Sequence, residues 1–247
     1  GETHGCAVSS SSVICWGVAT EGQLGNGASA LTSRDPVSVT TVTGWTPLEV
    51  SVSTSSGIGG GTSCALYSSD STGERRVMCW GGGGSGQIGD GGTSSLSSPA
   101  STDLVMLDPT TPLGASDGSE TLSSSPYDVV EVSLSEIGRF GCARSSQGHV
   151  KCWGYNAYGQ LGHGNTSTAS DGEDEMGEDL AFVPLGANRT ATSLSVGENH
   201  ACALLDDGSV KCWGRNNYGQ LGIGNTSQIG DGPNEIGDFL ASVDLGT

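Results

Sequence analysis

The chain has 247 residues, of which 42 are glycine, 34% are hydrophobic and only 15% are charged. This composition favours a turn-rich β protein over a helical one, and the glycines show no Gly-X-Y period, which excludes collagen. Twenty-seven acidic and nine basic residues give a formal net charge of −18, and repulsion from phosphate makes nucleic acid and anionic membranes poor partners. The charge indicates a self-repelling surface, or one that attracts cations or basic proteins. The sequence shows no signal peptide and no run long enough for membrane insertion, and it begins at Gly1, so we expect a processed chain or part of a longer one.

One sequence pattern occurs four times along the chain. Its clearest copies are residues 150–166 and 210–226, which share Val-Lys-Cys-Trp-Gly, Tyr-Gly-Gln-Leu-Gly and Gly-Asn-Thr, and weaker copies stand at 13–27 and 77–91. Recurrence of this kind predicts a repeat architecture. The predicted units are unit 1 (1–44), unit 2 (45–108), an inserted Ser/Pro/Gly-rich loop (109–126), unit 3 (127–187) and unit 4 (188–247).

Each unit is predicted to form a small antiparallel sheet of four strands. In unit 4 the Asp-Gly pair at 207–208 favours a hairpin turn between two apolar runs. Unit 1 lacks the first strand of the pattern, because Gly1 aligns with Gly197, the residue just after that strand in unit 4. The predicted strands elsewhere are 45–52 in unit 2, 127–134 and 140–143 in unit 3, and 190–196, 201–205, 210–213 and a fourth near 241–245 in unit 4.

The eight cysteines occupy two equivalent places in every unit. A metal site would need four converging ligands, usually in Cys-x-x-Cys pairs, and the sequence has no such pair. Two cysteines on either side of a hairpin turn fit a cross-link between neighbouring strands, with free buried thiols as the alternative. Disulfides in turn indicate an oxidising compartment. The predicted disulfides are Cys6–Cys15, Cys64–Cys79, Cys142–Cys152 and Cys202–Cys212.

Three Asn-x-Ser/Thr sequons also indicate export. They place candidate glycosylation sites at Asn165, Asn188 and Asn225. Asn165 and Asn225 are equivalent in their units, so we expect both on the same rim and equally accessible. Together with the disulfides, the sequons predict an extracellular protein, either secreted or on the cell surface.

Repeated four-stranded units of about sixty residues are typical of a β-propeller or a related solenoid. The run Trp-Gly-x-Asn-x-x-Gly-Gln-Leu-Gly-x-Gly at 153–164 and 213–224 resembles the repeat of the regulator of chromosome condensation family. That family folds as a β-propeller, usually of seven blades. The resemblance implies an all-β fold of four-stranded antiparallel blades, which with four units would form an incomplete or open propeller, in a secreted, disulfide-containing branch of the family.

What the resemblance implies about function is less direct. The family's founding activity is nucleotide exchange on a small nuclear GTPase, but the cysteine pairs and sequons suggest export, so this activity is not expected here. Other relatives include secreted inhibitors that cover an enzyme with one propeller face and modules of surface proteins. These relatives fit the chain better.

Two acidic loops are the sharpest local feature outside the repeat motif. Carboxylates in a Gly-bent loop suit Ca²⁺, although the spacing is not that of an EF-hand, and a solvated turn explains the same residues. No other cofactor is predicted. The calcium candidates are Asp171, Glu175 and Glu178, with their counterparts Asp231, Glu235 and Asp238.

The sequence predicts no catalytic site. His4 and His200 occupy equivalent positions, which favours a structural role such as a turn hydrogen bond. No Ser-His-Asp order accompanies a Gly-x-Ser-x-Gly motif, and the cysteines are assigned to disulfides. The tryptophans at 16, 80, 153 and 213 are predicted to pack in the blade core, with an aromatic sugar platform as the alternative.

The sequence therefore predicts a non-catalytic structural or interaction module of an extracellular surface or fibrous assembly. Its predicted partners are proteins: copies of itself or adjoining repeats, joined head to tail by a strand added to the short first unit. A secreted propeller that binds or inhibits another protein through one face is the alternative. An enzyme such as a glycan lyase on a propeller scaffold is a third class.

Overall fold

The structure is a computed structural model. It describes residues 3–29, 32–53, 61–99, 129–137, 139–169, 172, 175–176 and 179–246. The predicted insertion at 109–126 lies outside these ranges. Twelve strands and one short 3-10 turn (Gly237–Phe239) form within them. The strands are β1 (His4–Ser9), β2 (Ser12–Gly17), β3 (Ser33–Ser38), β4 (Trp45–Val52), β5 (Thr62–Ser69), β6 (Arg75–Gly81), β7 (Val129–Leu134), β8 (Phe140–Ser145), β9 (Val150–Gly154), β10 (Ala191–Val196), β11 (His200–Leu205) and β12 (Val210–Gly214).

The strands form four antiparallel sheets, one in each unit. The sheets take their strands in chain order, β1-β2-β3, β4-β5-β6, β7-β8-β9 and β10-β11-β12. The predicted all-β fold of blade-like antiparallel repeats is confirmed, and the sheets are open. Within the described ranges, no helix is long and apolar enough to cross a membrane.

Each sheet has three strands, which agrees with the predicted missing first strand in unit 1 and is one strand fewer than the predicted four in units 2 to 4. In unit 1 the strand that follows the motif is continuous, since Ser33 pairs with Gly17 and Ser38 with Ile14. The equivalent contacts in unit 4 are two isolated bridges, Gly214 with Ile229 and Lys211 with Ser242. The acidic loop lies between these two bridges. The fourth strand, which the sequence predicted near 241–245, is therefore represented there only by the bridge at Ser242.

The hydrophobic core lies between consecutive sheets, as in a propeller. Leu24 of unit 1 packs in one cluster with Tyr67 and Trp80 of unit 2. A second cluster joins units 2 and 3, and a third joins units 3 and 4. Because every cluster is shared, each unit is stabilised by its neighbours as well as by its own sheet.

Candidate interaction surfaces

Three tryptophans connect each unit to the one before it. The side chains of Trp80, Trp153 and Trp213 are fully buried. Each indole N–H donates to the main-chain carbonyl of the motif glutamine in the preceding unit: Trp80 to Gln23 at 3.0 Å, Trp153 to Gln87 at 3.0 Å and Trp213 to Gln160 at 2.9 Å. The Gly-Gln-Leu-Gly turn of one unit is thus the socket for the tryptophan of the next.

The motif residues shape this socket. The side-chain oxygen of Gln160 accepts the backbone N–H of Tyr158 at 2.9 Å and so closes the turn. Gly162 has φ +71°, and a Cβ there would lie 3.0 Å from the indole nitrogen of Trp213. A Cβ at Gly25 would lie 2.6 Å from the indole nitrogen of Trp80. Glycine is therefore needed both for the left-handed backbone and for the close approach of the ring.

At the two ends of the described fold, the halves of this joint are exposed. Trp16 in unit 1 is 40% exposed, and its indole N–H finds no acceptor among the described residues. The prediction of a buried blade-core role therefore holds for the other three tryptophans and not for Trp16. In unit 4, Tyr218 is 85% exposed, and a Cβ at Gly219 would meet nothing within 4 Å. At the equivalent Gly159, a Cβ would lie 2.3 Å from the backbone of unit 4.

All four predicted disulfides are present. The paired cysteines stand directly opposite each other on neighbouring strands, with Cα–Cα distances of 4.0 to 4.1 Å. Each bond lies within a single sheet, as the register shows. They reinforce the hairpins and do not connect one unit to the next.

The three sequon asparagines are exposed. Asn165 and Asn225 have the same local geometry, since the side-chain oxygen of each accepts the backbone N–H of the serine two residues later at 2.8 Å. Asn188 has a left-handed backbone, with φ +56°. The predicted equivalence of Asn165 and Asn225 is present in the structure, and glycosylation itself stays a prediction.

Three of the four described calcium candidates accept backbone N–H groups, and the fourth, Asp231, accepts the side-chain N–H of Gln228. Glu235 accepts from Gly230 and Gly232, both at 2.9 Å, and Glu175 accepts from Gly172 at 3.0 Å. Asp231 accepts from Gln228 at 2.9 Å and Asp238 from Ala187 at 2.7 Å. The described residues contain no group of three metal-ligating side chains suited to an ion. Asp171 and Glu178 lie outside them, so calcium binding stays a prediction.

Lys211 also holds the acidic loop of unit 4, which the sequence did not predict. Its ammonium group donates to the carbonyls of Leu185 at 2.8 Å and Gly237 at 2.9 Å, and the residue is buried. Burial lowers the pKa of Lys211, while Asp238 acts in the opposite direction. In unit 3, Lys151 is fully buried with its ammonium nitrogen 4.7 Å from the Phe182 ring. A lysine at this position therefore braces the inserted loop.

The equivalent histidines have different surroundings. His4 is buried against unit 2, with Nε2 3.0 Å from the Ser63 hydroxyl. His4 therefore contacts the next unit, whereas the sequence predicted a structural role such as a hydrogen bond in a turn. Burial lowers the pKa of His4 to about 4. His200 is half-buried, and burial lowers its pKa as well.

The sheets, their order and the tryptophan joints define a β-propeller repeat protein. One model of the regulator of chromosome condensation (RCC1) repeat matches residues 138–160 and 191–220, and a second model of that repeat matches 207–239. The chain therefore contains repeats of the RCC1 family, and the resemblance found in its sequence is confirmed.

This chain is similar to only a small part of each curated relative. The ultraviolet-B receptor UVR8 of Arabidopsis thaliana is 31% identical over 169 residues, which are 68% of this chain and 31% of that protein. The E3 ubiquitin-protein ligase HERC2 of Homo sapiens is 27% identical over 228 residues, which are 92% of this chain and 4% of that protein. The chain thus spans less than a third of either relative.

Solved structures of yeast RCC1 share the fold. The structure of Kap60 bound to yeast RCC1 (Prp20) aligns with a TM-score of 0.59 at 19% identity, over 98% of this chain and 48% of that one. Prp20p of Saccharomyces cerevisiae aligns with a TM-score of 0.55 at 16% identity, over 98% of this chain and 50% of that one. At these identities the likeness concerns the propeller architecture alone.

Proposed function

We propose that this chain is a non-catalytic interaction module of an extracellular surface or fibrous assembly, joined head to tail with copies of itself or adjoining repeats. The observation that carries the proposal is the pair of exposed end faces, one with Trp16 and the other with Tyr218 and Gly219. Each is half of a joint that occurs three times inside the chain. Exposed halves of a repeated contact favour association with the matching half.

A binding role also agrees with the relatives. Yeast RCC1 is bound to Kap60 in one of the similar structures, and Prp20p has binding properties toward Gsp1p and histones. RCC1-repeat propellers are in general binding modules without catalysis, and the HERC ligases act through other domains. A protein partner is therefore the class of partner that we infer for this chain.

The edge of the first sheet offers a second route to assembly. β1 is an edge strand, because it pairs only with β2 among the described strands. Unpaired backbone groups at a sheet edge can accept a strand from another chain. Strand addition at β1 would place the lead strand that units 2 to 4 have in β4, β7 and β10.

The extracellular location rests on the disulfides and sequons. All eight cysteines are paired, and reducing compartments do not maintain such bonds. Non-reducing peptide mapping of protein from its native source tests this directly, and free thiols at these positions would contradict export. Intact-glycopeptide mass spectrometry of protein from a eukaryotic source should find Asn165 and Asn225 modified alike.

Sedimentation velocity over a range of concentrations, with electron microscopy, tests the assembly role. We expect concentration-dependent oligomers or fibres. A monomer at every concentration would contradict the proposal. A monomer that also captures a soluble partner from the extracellular medium would favour the binding or inhibiting role instead.

A further inference from the structure

We propose that the boundary between units 3 and 4 forms a binding site for an acidic peptide segment of a partner protein, in which Arg139 and Arg215 each bind a carboxylate of that segment. The two arginines are the ends of a row of four side chains, Arg139, Tyr155, Tyr158 and Arg215, which we call the Arg–Tyr ladder. This binding role is separate from head-to-tail assembly.

The ladder crosses from one unit to the next. The guanidinium carbon of Arg139 lies 5.4 Å from the centroid of the Tyr155 ring. The rings of Tyr155 and Tyr158 meet edge to face, with their centroids 6.3 Å apart. Arg215 of unit 4 lies 5.0 Å from the centroid of the Tyr158 ring. Contacts of a cation with a ring face hold the guanidinium groups in place and use none of their N–H donors.

Neither guanidinium group has a close carboxylate partner within the described part of the chain. The Nε–H of Arg139 is buried without an acceptor, and so is the Nε–H of Arg215. Arg215 has one ion pair, with Glu198, and its N–O distance of 3.9 Å is too long for a hydrogen bond. A buried donor without an acceptor costs free energy, which an incoming carboxylate would recover.

Other arginines of the chain already have close carboxylate partners. Arg144 donates to Glu131 at 2.7 Å, and Arg189 donates to Asp206 at 3.0 Å. The chain has 27 acidic and nine basic residues, so carboxylates are abundant. Two arginines without such a partner therefore indicate a site for a carboxylate from outside the chain.

The repeat fold does not require the ladder. The residue that aligns with Tyr158 is Glu21 in unit 1 and Ser85 in unit 2, and Gly82 stands where unit 4 has Arg215. The motif glutamine nevertheless closes the turn in each unit. Its side-chain oxygen accepts the backbone N–H of this residue at 2.8 Å in unit 1, 2.7 Å in unit 2 and 2.9 Å in unit 3. The turn thus forms without an aromatic ring.

The chemistry of the ladder favours a peptide carboxylate over a nucleobase. One face of each tyrosine ring is covered by a guanidinium group, whereas bases bind to aromatic side chains by stacking on such faces. The N–H donors of arginine are complementary to carboxylates, which they bind through paired hydrogen bonds. Because the formal net charge is −18, the chain as a whole repels acidic peptides, and only a local site would hold one.

Fluorescence anisotropy with a labelled peptide tests the site in the whole chain. The probe is a peptide of about eight residues in which glutamate alternates with serine, so that its carboxylates share one side when it is extended. The same peptide with glutamine in place of glutamate is the control ligand. We expect saturable binding of the glutamate peptide alone. Absence of binding at millimolar concentration would overturn the proposal, and so would binding of an oligogalacturonate in preference to the peptide.

Arg215→Gln should raise the dissociation constant of the glutamate peptide about tenfold, as expected for loss of charge-assisted hydrogen bonds. Arg189→Gln is the matched control, because it removes the same charge from an arginine that is already paired with Asp206 and Asp207. It should leave the dissociation constant unchanged. Equal increases for both variants would mean that overall charge determines binding, and the ladder would then not be the site.

Tyr158→Ser tests the ladder without removing a charge, and the turn should still form because Ser85 closes the same turn in unit 2. The variant loses the ring that holds Arg215, so the dissociation constant should rise about threefold. In NMR spectra, the Nε–H signals of Arg139 and Arg215 should shift when the peptide is added, and that of Arg189 should not. A peptide that binds without shifting the two ladder signals would contradict the proposed site.

Discussion

Units 1 and 4 share the repeat pattern, including an equivalent histidine and tryptophan, but bury opposite parts of it. Unit 1 buries His4 and leaves Trp16 40% exposed, while unit 4 buries Trp213 fully and leaves His200 half-buried. The tryptophan is covered by the preceding unit and the histidine by the following one. The motif residues therefore stabilise the fold mainly through contacts with neighbouring units. Replacing equivalent residues in units 1 and 4 should change the free energy of unfolding by different amounts.

Replacement of the tryptophans is the strongest test of this inequality. Trp213→Ala should lower the free energy of unfolding by about 4 kcal/mol, since it empties a packed joint and leaves the carbonyl of Gln160 without its donor. Trp16→Ala should cost about 1 kcal/mol, because much of its ring is already in water. Both are measured by denaturant unfolding at low protein concentration. Equal losses would contradict the assignment of the joint.

Removal of a disulfide, in contrast, should lower the free energy of unfolding by a similar amount in units 1 and 4. Cys6–Cys15 and Cys202–Cys212 close loops of 9 and 10 residues within single sheets. Loop-closure entropy then predicts a loss of about 3 kcal/mol for either double Cys→Ala variant. Denaturant unfolding measures both, with the other three disulfides intact. A much larger loss for one pair would mean that its bond also supports a joint between units.

Lowering the pH should reduce the free energy of unfolding more through His4 than through His200. His4 is protonated less readily in the folded state, with a pKa of about 4 against 6.5, so the unfolded chain binds more protons as the pH falls. Stability from neutral His4 is complete above pH 6.5 and declines from there toward about pH 4, by about 2 kcal/mol between pH 6.5 and 5. His4→Gln should flatten this part of the unfolding profile. His200→Gln, on the exposed face, should change it less.

The disulfides and most strands were predictable because their partners are close in sequence. Each hairpin places two cysteines opposite each other, and the predicted strands at 190–196, 201–205 and 210–213 differ from β10, β11 and β12 by one residue at an end. The same local reasoning gave a fourth strand in every unit. It did not predict that the acidic loop divides this strand between Ile229 and Ser242.

The joints between units were not predictable by such local reasoning. Trp213 and its acceptor Gln160 are 53 residues apart, and nothing in either stretch specifies the other. The recurrence of the glutamine in all four copies was a usable signal, although its contact is made by the backbone. Lys211 was equally hidden, because a lysine in a strand pattern is expected at the surface, and its burial depends on two carbonyls supplied by distant loops.

The smallest expected effect concerns Asn216, which has Ala19 as its counterpart in unit 1. Asn216 is buried, donates to the carbonyls of Asn225 and Ser227, both at 2.9 Å, and accepts the N–H of Leu221 at 3.0 Å. In Asn216→Ala, water can replace the donor at the exposed Asn225 and Ser227, whereas the N–H of the buried Leu221 loses its partner.

The loss should therefore be about 1 kcal/mol, the usual value for one unmade hydrogen bond. Hydrogen exchange at the Leu221 amide should accelerate about fivefold if local opening limits it. The exposed neighbour Asn217 provides the control, because Asn217→Ala should change neither quantity measurably. A loss of several kcal/mol for Asn216→Ala would show that this loop, like the tryptophan, carries a joint between units, and the contrast with Ala19 in unit 1 would then extend to the whole turn.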